Sequence, residues 1–135
     1  MVSLIDLNET FLPVGQMRQI TSVSAFYDQV IVCEMSLDHH WTYPMHFPND
    51  PILPGCLIIE AAGQVTALWA WLDGQRGKPR LVKTAADFRA PAGPEHEVLT
   101  FRARIKKKRF LNFGTISVQI GDMEIATIEN CIAVV

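Results

Sequence analysis

Two side chains in the stretch MHFPNDPILPGCLIIEAAGQ, residues 45–64, stand out as candidates for moving protons, His46 and Glu60. Imidazoles titrate near pH 6.5, so His46 can take a proton under neutral conditions. Glu60, fourteen positions later, is the one acidic residue in an apolar run. Placed among Leu57, Ile58, Ile59 and Val65, its carboxyl is expected to be desolvated and to keep its proton, which makes it a usable general acid. Gln64 lies four residues on, shares a helix face with Glu60, and can fix its orientation by a side-chain hydrogen bond. Ala61, Ala62 and Gly63 leave open space beside the carboxyl. At the helix start the N–H groups of Gly55 to Leu57 have no intrahelical acceptor and carry the positive end of the dipole. Gly55 has no side chain to keep a ligand off them, so they can hold a carbonyl oxygen that gains negative charge on enolisation. Base, oxyanion donors and acid thus come from twenty residues. The chemistry they suggest is loss of water across the α and β carbons of a thioester.

The elements that must position these groups follow from the pattern around them. Prolines at 44, 48, 51 and 54 forbid a helix over residues 38–55, which is irregular. Residues 56–72, CLIIEAAGQVTALWAWL, form one helix that is apolar around most of its circumference, stopped by DGQRGKP from Asp73. Seventeen residues containing Glu60 and Gln64, with no basic anchor ahead, fit a buried helix better than a membrane span, which needs roughly 20 apolar residues. Strands are expected at residues 17–23, 30–37, 81–88, 97–107, 111–120 and 123–134, the last two parted by a Gly121-Asp122 turn. The expected fold is α+β, a curved antiparallel sheet of about six strands wrapped around one long central helix. A single domain spans residues 1–135. One sheet leaves part of so apolar a helix uncovered, so a dimer is expected on burial grounds.

Other features have simpler explanations beside the sharp ones. A net charge of −2 gives no general attraction to nucleic acid. Cys33, Cys56 and Cys131 match no metal or disulfide spacing and favour a reducing cytoplasm, and the N-terminus has no signal-peptide pattern. His39, His40 and His46 could suggest a metal cluster, but adjacent side chains point apart and no third ligand has standard spacing, so a surface loop and no metal are expected. Cys56 reads as a small helix-start residue with a minor case for a reactive thiol. Trp69 and Trp71 read as core or dimer packing, Trp69 also as a candidate wall of an acyl tunnel. The run KKKR at 106–109 reads as a solvated strand end or a dock for an acidic carrier protein.

The pattern HFPxxPxxPGxxxxEAxxQ, formed by His46, Phe47, Pro48, Pro51, Pro54, Gly55, Glu60, Ala61 and Gln64, resembles the active-site motif of the β-hydroxyacyl-acyl carrier protein dehydratases, a hot-dog-fold family of fatty-acid synthesis. LPVGQMRQITSV resembles the family's opening strand and ADFRAPAGP its strand and turn after the helix. The resemblance implies a hot-dog fold with His46 as base, Glu60 as the acid that protonates the leaving hydroxyl, and the Gly55 N–H on the thioester carbonyl. Cys56, Phe47 and Gln64 are the further substrate-binding candidates. It also implies a homodimer, or a larger assembly of dimers, in which the His and the acid of one site come from opposite subunits. No cofactor is implied beyond the phosphopantetheine arm of an acyl carrier protein that brings the substrate. Met45 and Asn49 stand where the family's short branch has glycine, and they put substrate shape in question. The PGC and DP letters resemble the branch that also isomerises the double bond, while Glu in place of Asp resembles the branch that only dehydrates. Fatty-acid or polyketide-type synthesis is the expected setting. The competing readings are a hot-dog acyl thioesterase, which would release free acid, and a catalytically silent acyl-carrier-binding subunit.

Overall fold

A computed structural model describes residues 5–135. Two single-turn 3-10 helices, Leu7–Glu9 and Gly15–Met17, precede β1 (Ser22–Tyr27) and β2 (Val30–Ser36). An irregular segment then leads to α1 (Gly55–Leu72), followed by β3 (Pro79–Phe88), β4 (Val98–Lys108), β5 (Leu111–Ile120) and β6 (Met123–Val134). The six strands form one antiparallel sheet in the order β1-β2-β4-β5-β6-β3. The sheet curls around α1, which packs on β2 through β6 and most heavily on β6.

Alternation explains how the sheet makes a core. In β4, Leu99, Phe101, Ala103 and Ile105 point inward, while Thr100, Arg102 and Arg104 share the other face. Ile116 and Val118 of β5 and Ile128 of β6 join them. From the helix come Ile58, Ala61, Ala62, Val65, Leu68 and Trp69, a stripe at three- and four-residue spacing. The Trp69 ring is buried, and its indole N–H donates to the Asp28 carbonyl at 3.0 Å, which ties the helix to the β1–β2 turn. Trp71 lies nearer the surface, edge-on to Phe11 and covered by the Arg76 guanidinium.

The expected strand at residues 17–23 is corrected by this structure. Residues 15–17 are a 3-10 turn, entered through Gly15 at φ +66°, and the first ladder contact is the Thr21 N–H to Glu34 carbonyl bond. β1 runs to Tyr27 instead, through a register shift between Val23 and Ala25. The reason is polar. Backbone groups of Met17, Gln19 and Ile20 face Gln64 of the helix and are bonded to it, so they are not free to pair with a neighbouring strand.

Strand β3 is an edge of the sheet, bonded to β6 alone, and nearly all of it is exposed. Leu81, Val82 and Phe88 are 57%, 59% and 43% exposed, an apolar edge of the kind that soluble chains usually pair or cover.

Candidate active site

Pro54 caps α1 from an extended conformation, and its carbonyl accepts from the Leu57 N–H at 3.0 Å and the Ile58 N–H at 3.3 Å. The Leu57 N–H expected to be free is therefore taken. The N–H groups of Gly55 and Cys56 remain without an acceptor among the described residues. The Phe88 ring lies over Gly55, where an added Cβ would meet its Cζ at 3.2 Å. A side chain at 55 would push that ring aside by a few tenths of an ångström, so the glycine lets Phe88 pack against the helix start.

One face of α1, with Cys56, Glu60, Gly63 and Gln64, walls a cleft whose other side is the start of β3 at residues 79–81 and the segment bearing Phe11 and Pro13. Glu60 is half-buried at this wall and not sealed in the core, a correction to the expected desolvation. The cause is the helix's rotation: the sheet covers the Ala61, Ala62 and Val65 side, and Glu60 falls on the uncovered flank.

Gln64 makes the expected hydrogen bond to Glu60 and has more partners than spacing alone suggests. It is 3% exposed, and its amide Nε2 donates to Glu60 Oε2 at 2.9 Å and to the Met17 carbonyl at 2.7 Å. Its Oε1 accepts from the N–H groups of Gln19 at 2.9 Å and Ile20 at 3.4 Å. Because Met17 offers only an acceptor and Gln19 and Ile20 only donors, the amide has one possible orientation. Glu60 Oε2 therefore accepts a hydrogen bond, and Oε1 has no protein partner among the described residues.

His46 sits in the Pro-rich loop and is held at three points. Its N–H donates to the Thr42 carbonyl at 2.9 Å, and its own carbonyl accepts from the Ile52 N–H at 2.8 Å. Its ring Nδ1 lies 3.2 Å from the Ile52 carbonyl. A carbonyl cannot donate, so Nδ1 bears the hydrogen, and in the neutral ring the Nε2 lone pair is available as a base. Phe47 is half-exposed and stacks on the His46 ring at 4.2 Å between centroids. The His46–Phe47 peptide is cis, and reciprocal bonds between Phe47 and Asp50 close the loop.

The single chain brings Glu60, Gln64 and Cys56 to one cleft, and His46 does not line it. Met45 and Asn49 are exposed, and neither has a positive φ, so the loop here needs no glycine backbone at those positions. Cys56 is exposed at the cleft; Cys33 and Cys131 are buried. Trp69 is not among the residues lining the cleft, which removes it as a tunnel wall there. The KKKR run lies at the far end of α1, where Lys107 pairs with Asp73 at 3.7 Å, whereas Arg80 is the cation lining the cleft. His39 is exposed beside Asp38, but His40 is half-buried with both ring nitrogens bonded, which the surface-loop reading did not foresee. Sequence reasoning also missed Met17, Gln19 and Ile20, whose backbone groups anchor Gln64; nothing in their letters marks this.

Comparison with known proteins bears on the family and the fold. Residues 12–129 match the model of the FabA-like domain. Over 88 residues the chain is 30% identical to the 3-hydroxyacyl-acyl-carrier-protein dehydratase FabZ of Brucella melitensis, a match spanning 62% of this chain and 56% of that relative. Among solved structures, a thioesterase of Haemophilus influenzae superposes with a TM-score of 0.67 at 19% identity, covering 84% of this chain and 77% of its own. A sigma28-regulated virulence protein of Campylobacter jejuni gives 0.69 at 9% identity, over 84% and 75% of the two chains. At such identities the structures speak to the fold alone, and the fold is the hot-dog. The sequence match and the architecture converge, and the chain belongs to the FabA-like family.

Proposed function

We propose that the protein dehydrates a 3-hydroxyacyl thioester to the trans-2-enoyl thioester. The observation that carries the reading is His46, fixed as the Nδ1–H tautomer with Nε2 free. Elimination needs a base at C2, and this tautomer leaves Nε2 to supply it. In the proposed reaction the thioester carbonyl oxygen lies on the Gly55 N–H, with that of Cys56 beside it, which stabilises enolate charge. His46 Nε2 removes a proton from C2. Glu60 gives the proton on Oε1 to the C3 hydroxyl, water leaves, and the C2–C3 double bond forms. His46 ends protonated and Glu60 ionised, and proton exchange with solvent restores both.

The base and the acid meet, on this reading, across a homodimer. Pairing of the exposed β3 edges of two chains would satisfy their free backbone groups and bring a second subunit to the cleft, which β3 itself lines. His46 of one subunit would then face Glu60 of the other. An acyl carrier protein would deliver the substrate on its phosphopantetheine arm, with Arg80 the cation best placed to greet a phosphate at the cleft. Such chemistry belongs in the cytoplasm, and it calls for no metal or redox cofactor.

The test is incubation with 3-hydroxyacyl carrier substrates of several chain lengths, followed by intact-mass measurement. Loss of water by the wild type, abolished in His46→Ala and in Glu60→Gln, is the expected result. Release of free acid would establish a thioesterase instead, and a bound but unchanged substrate a silent binding subunit. Water loss that survives in His46→Ala would refute the assignment of the base.

A further inference from the structure

Beyond the two proposed proton-transfer groups, the structure contains a continuous chain of buried and part-buried polar contacts that reaches both of them. Gln64 orients Glu60, and the Gln19 N–H orients Gln64. Gln19 is itself 3% exposed, and its side-chain amide is fixed as firmly as that of Gln64. Nε2 donates to the carbonyls of Gln16 at 2.8 Å and Met17 at 3.2 Å, which turns Oε1 toward His40. His40 Nε2 lies 3.1 Å from that oxygen, so it carries the ring hydrogen and donates it. His40 Nδ1 must then accept, and Thr42 supplies donors to it, the hydroxyl at 2.7 Å and the backbone N–H at 3.3 Å. Thr42 is buried, and its carbonyl takes the N–H groups of Met45 at 3.0 Å and His46 at 2.9 Å.

Every amide and imidazole orientation along this path is determined by a neighbour that can play only one role. The path runs from Glu60 through Gln64, Gln19, His40 and Thr42 to the backbone of His46. We propose that His40 is a positioning residue, which sets Glu60 through Gln19 and Gln64 and sets the His46 loop through Thr42. This rests on the reading of Glu60 as acid and His46 as base. His40 is the joint of the path: its ring is bonded on one side to Gln19, in the segment that anchors Gln64, and on the other to Thr42, whose carbonyl holds the N–H of His46. The rings of Trp41 and Tyr43, with centroids 5.7 and 5.8 Å from that of His40, restrict its rotation.

The test is steady-state kinetics of His40→Ala, His40→Gln, Gln19→Leu and the double variant His40→Ala/Gln19→Leu, together with NMR of the Gln64 side-chain amide. Loss of placement by a fraction of an ångström to an ångström is expected to lower kcat of His40→Ala about 10- to 100-fold. KM should stay within about twofold, because substrate contacts are untouched. His40→Gln keeps an N–H donor toward Gln19 and should recover most of kcat. The double variant should be no slower than the slower single one, as for two links of one path. The Gln64 amide resonance should move in both single variants that break the contact. If His40→Ala does not fold, Gln19→Leu removes the same contact from the other side and carries the same expectations. Full kcat in folded His40→Ala, multiplying losses in the double variant, or an unmoved Gln64 resonance would each overturn the proposal. A Gln64 resonance that moves in a protein whose wild type never loses water would uphold the relay and refute the dehydratase reading.

Discussion

Replacing Gln64 by glutamate tests the geometry of the acid's anchor without any substrate. The change exchanges the Nε2 donor for an oxygen. That oxygen would stand 2.9 Å from Glu60 Oε2 and 2.7 Å from the Met17 carbonyl, both acceptors. The introduced carboxyl, when protonated, has a single O–H and can satisfy one of the two. The other contact is lost, a cost of about 1–3 kcal/mol at any pH. When ionised it would satisfy neither, in a site 3% exposed and beside a second carboxyl. Burial favours the protonated form, by roughly 2–3 pH units for a group so placed. At 1.36 kcal/mol per unit this adds about 3–4 kcal/mol at pH 7.5. The sign follows from proton binding: the folded variant holds the introduced proton to higher pH than its unfolded chain does. Stability relative to wild type is therefore lost as pH rises above the unfolded value near 4.3. The assay is urea denaturation of wild type and Gln64→Glu at pH 4 and 7.5. The deficit is expected to grow from about 1–3 to about 4–7 kcal/mol between them, by the sum of those two costs. A deficit equal at both pH values would refute the orientation assigned to Gln64 and its contact with Glu60.

Two further predictions concern the core and the cleft. Gly114 on β5 faces α1, and an added Cβ would lie 2.6 Å from Asn130 Oδ1 and closer still to Thr66 Oγ1, the two atoms of a buried hydrogen bond. Gly114→Ala should cost about 1–3 kcal/mol by overpacking, read as a fall in urea midpoint, while Gly63→Ala, with its nearest neighbour at 3.8 Å, should be neutral or slightly stabilising; equal midpoints would refute the close packing. Cys56 is exposed, whereas burial pushes the thiols of Cys33 and Cys131 up, so native protein should show one fast thiol toward a maleimide and two protected ones. Modification at Cys56 should block the cleft, and mapping the label to Cys33 or Cys131 first would contradict the burial.

The helix and most strands were legible because their signals are local. Pro54 and Gly55 ahead of an apolar run, and DGQRGKP after it, bound α1 to Gly55–Leu72. The strands at 111–120 and 123–134 were bounded by a Gly121 turn, observed at φ +58°. β1 was illegible for two physical reasons. Its turn into β2 uses Asp28 at φ +52°, without the glycine that signals a hairpin, and its bulge breaks the alternation. The motif singled out Glu60, Gln64, Gly55 and His46 as candidates, but not how much water reaches Glu60. That depends on which flank of α1 the sheet covers, and a helix apolar nearly all round does not encode its own rotation.

The half-burial of Glu60 and the open edge of β3 are one problem. Pro79, Arg80 and Leu81 lie both on that edge strand and along the cleft that Glu60 walls. A chain pairing with β3 would cover the strand's free N–H and carbonyl groups and dry the cleft at the same stroke. On the proposed reading, the carboxyl is enclosed in apolar surroundings only when the second subunit arrives. The same event would supply the imidazole that the single chain leaves outside the cleft. Dimerisation would then complete the site, with the helix as the rigid mount for the acid and the proline-stiffened loop as the mount for the base.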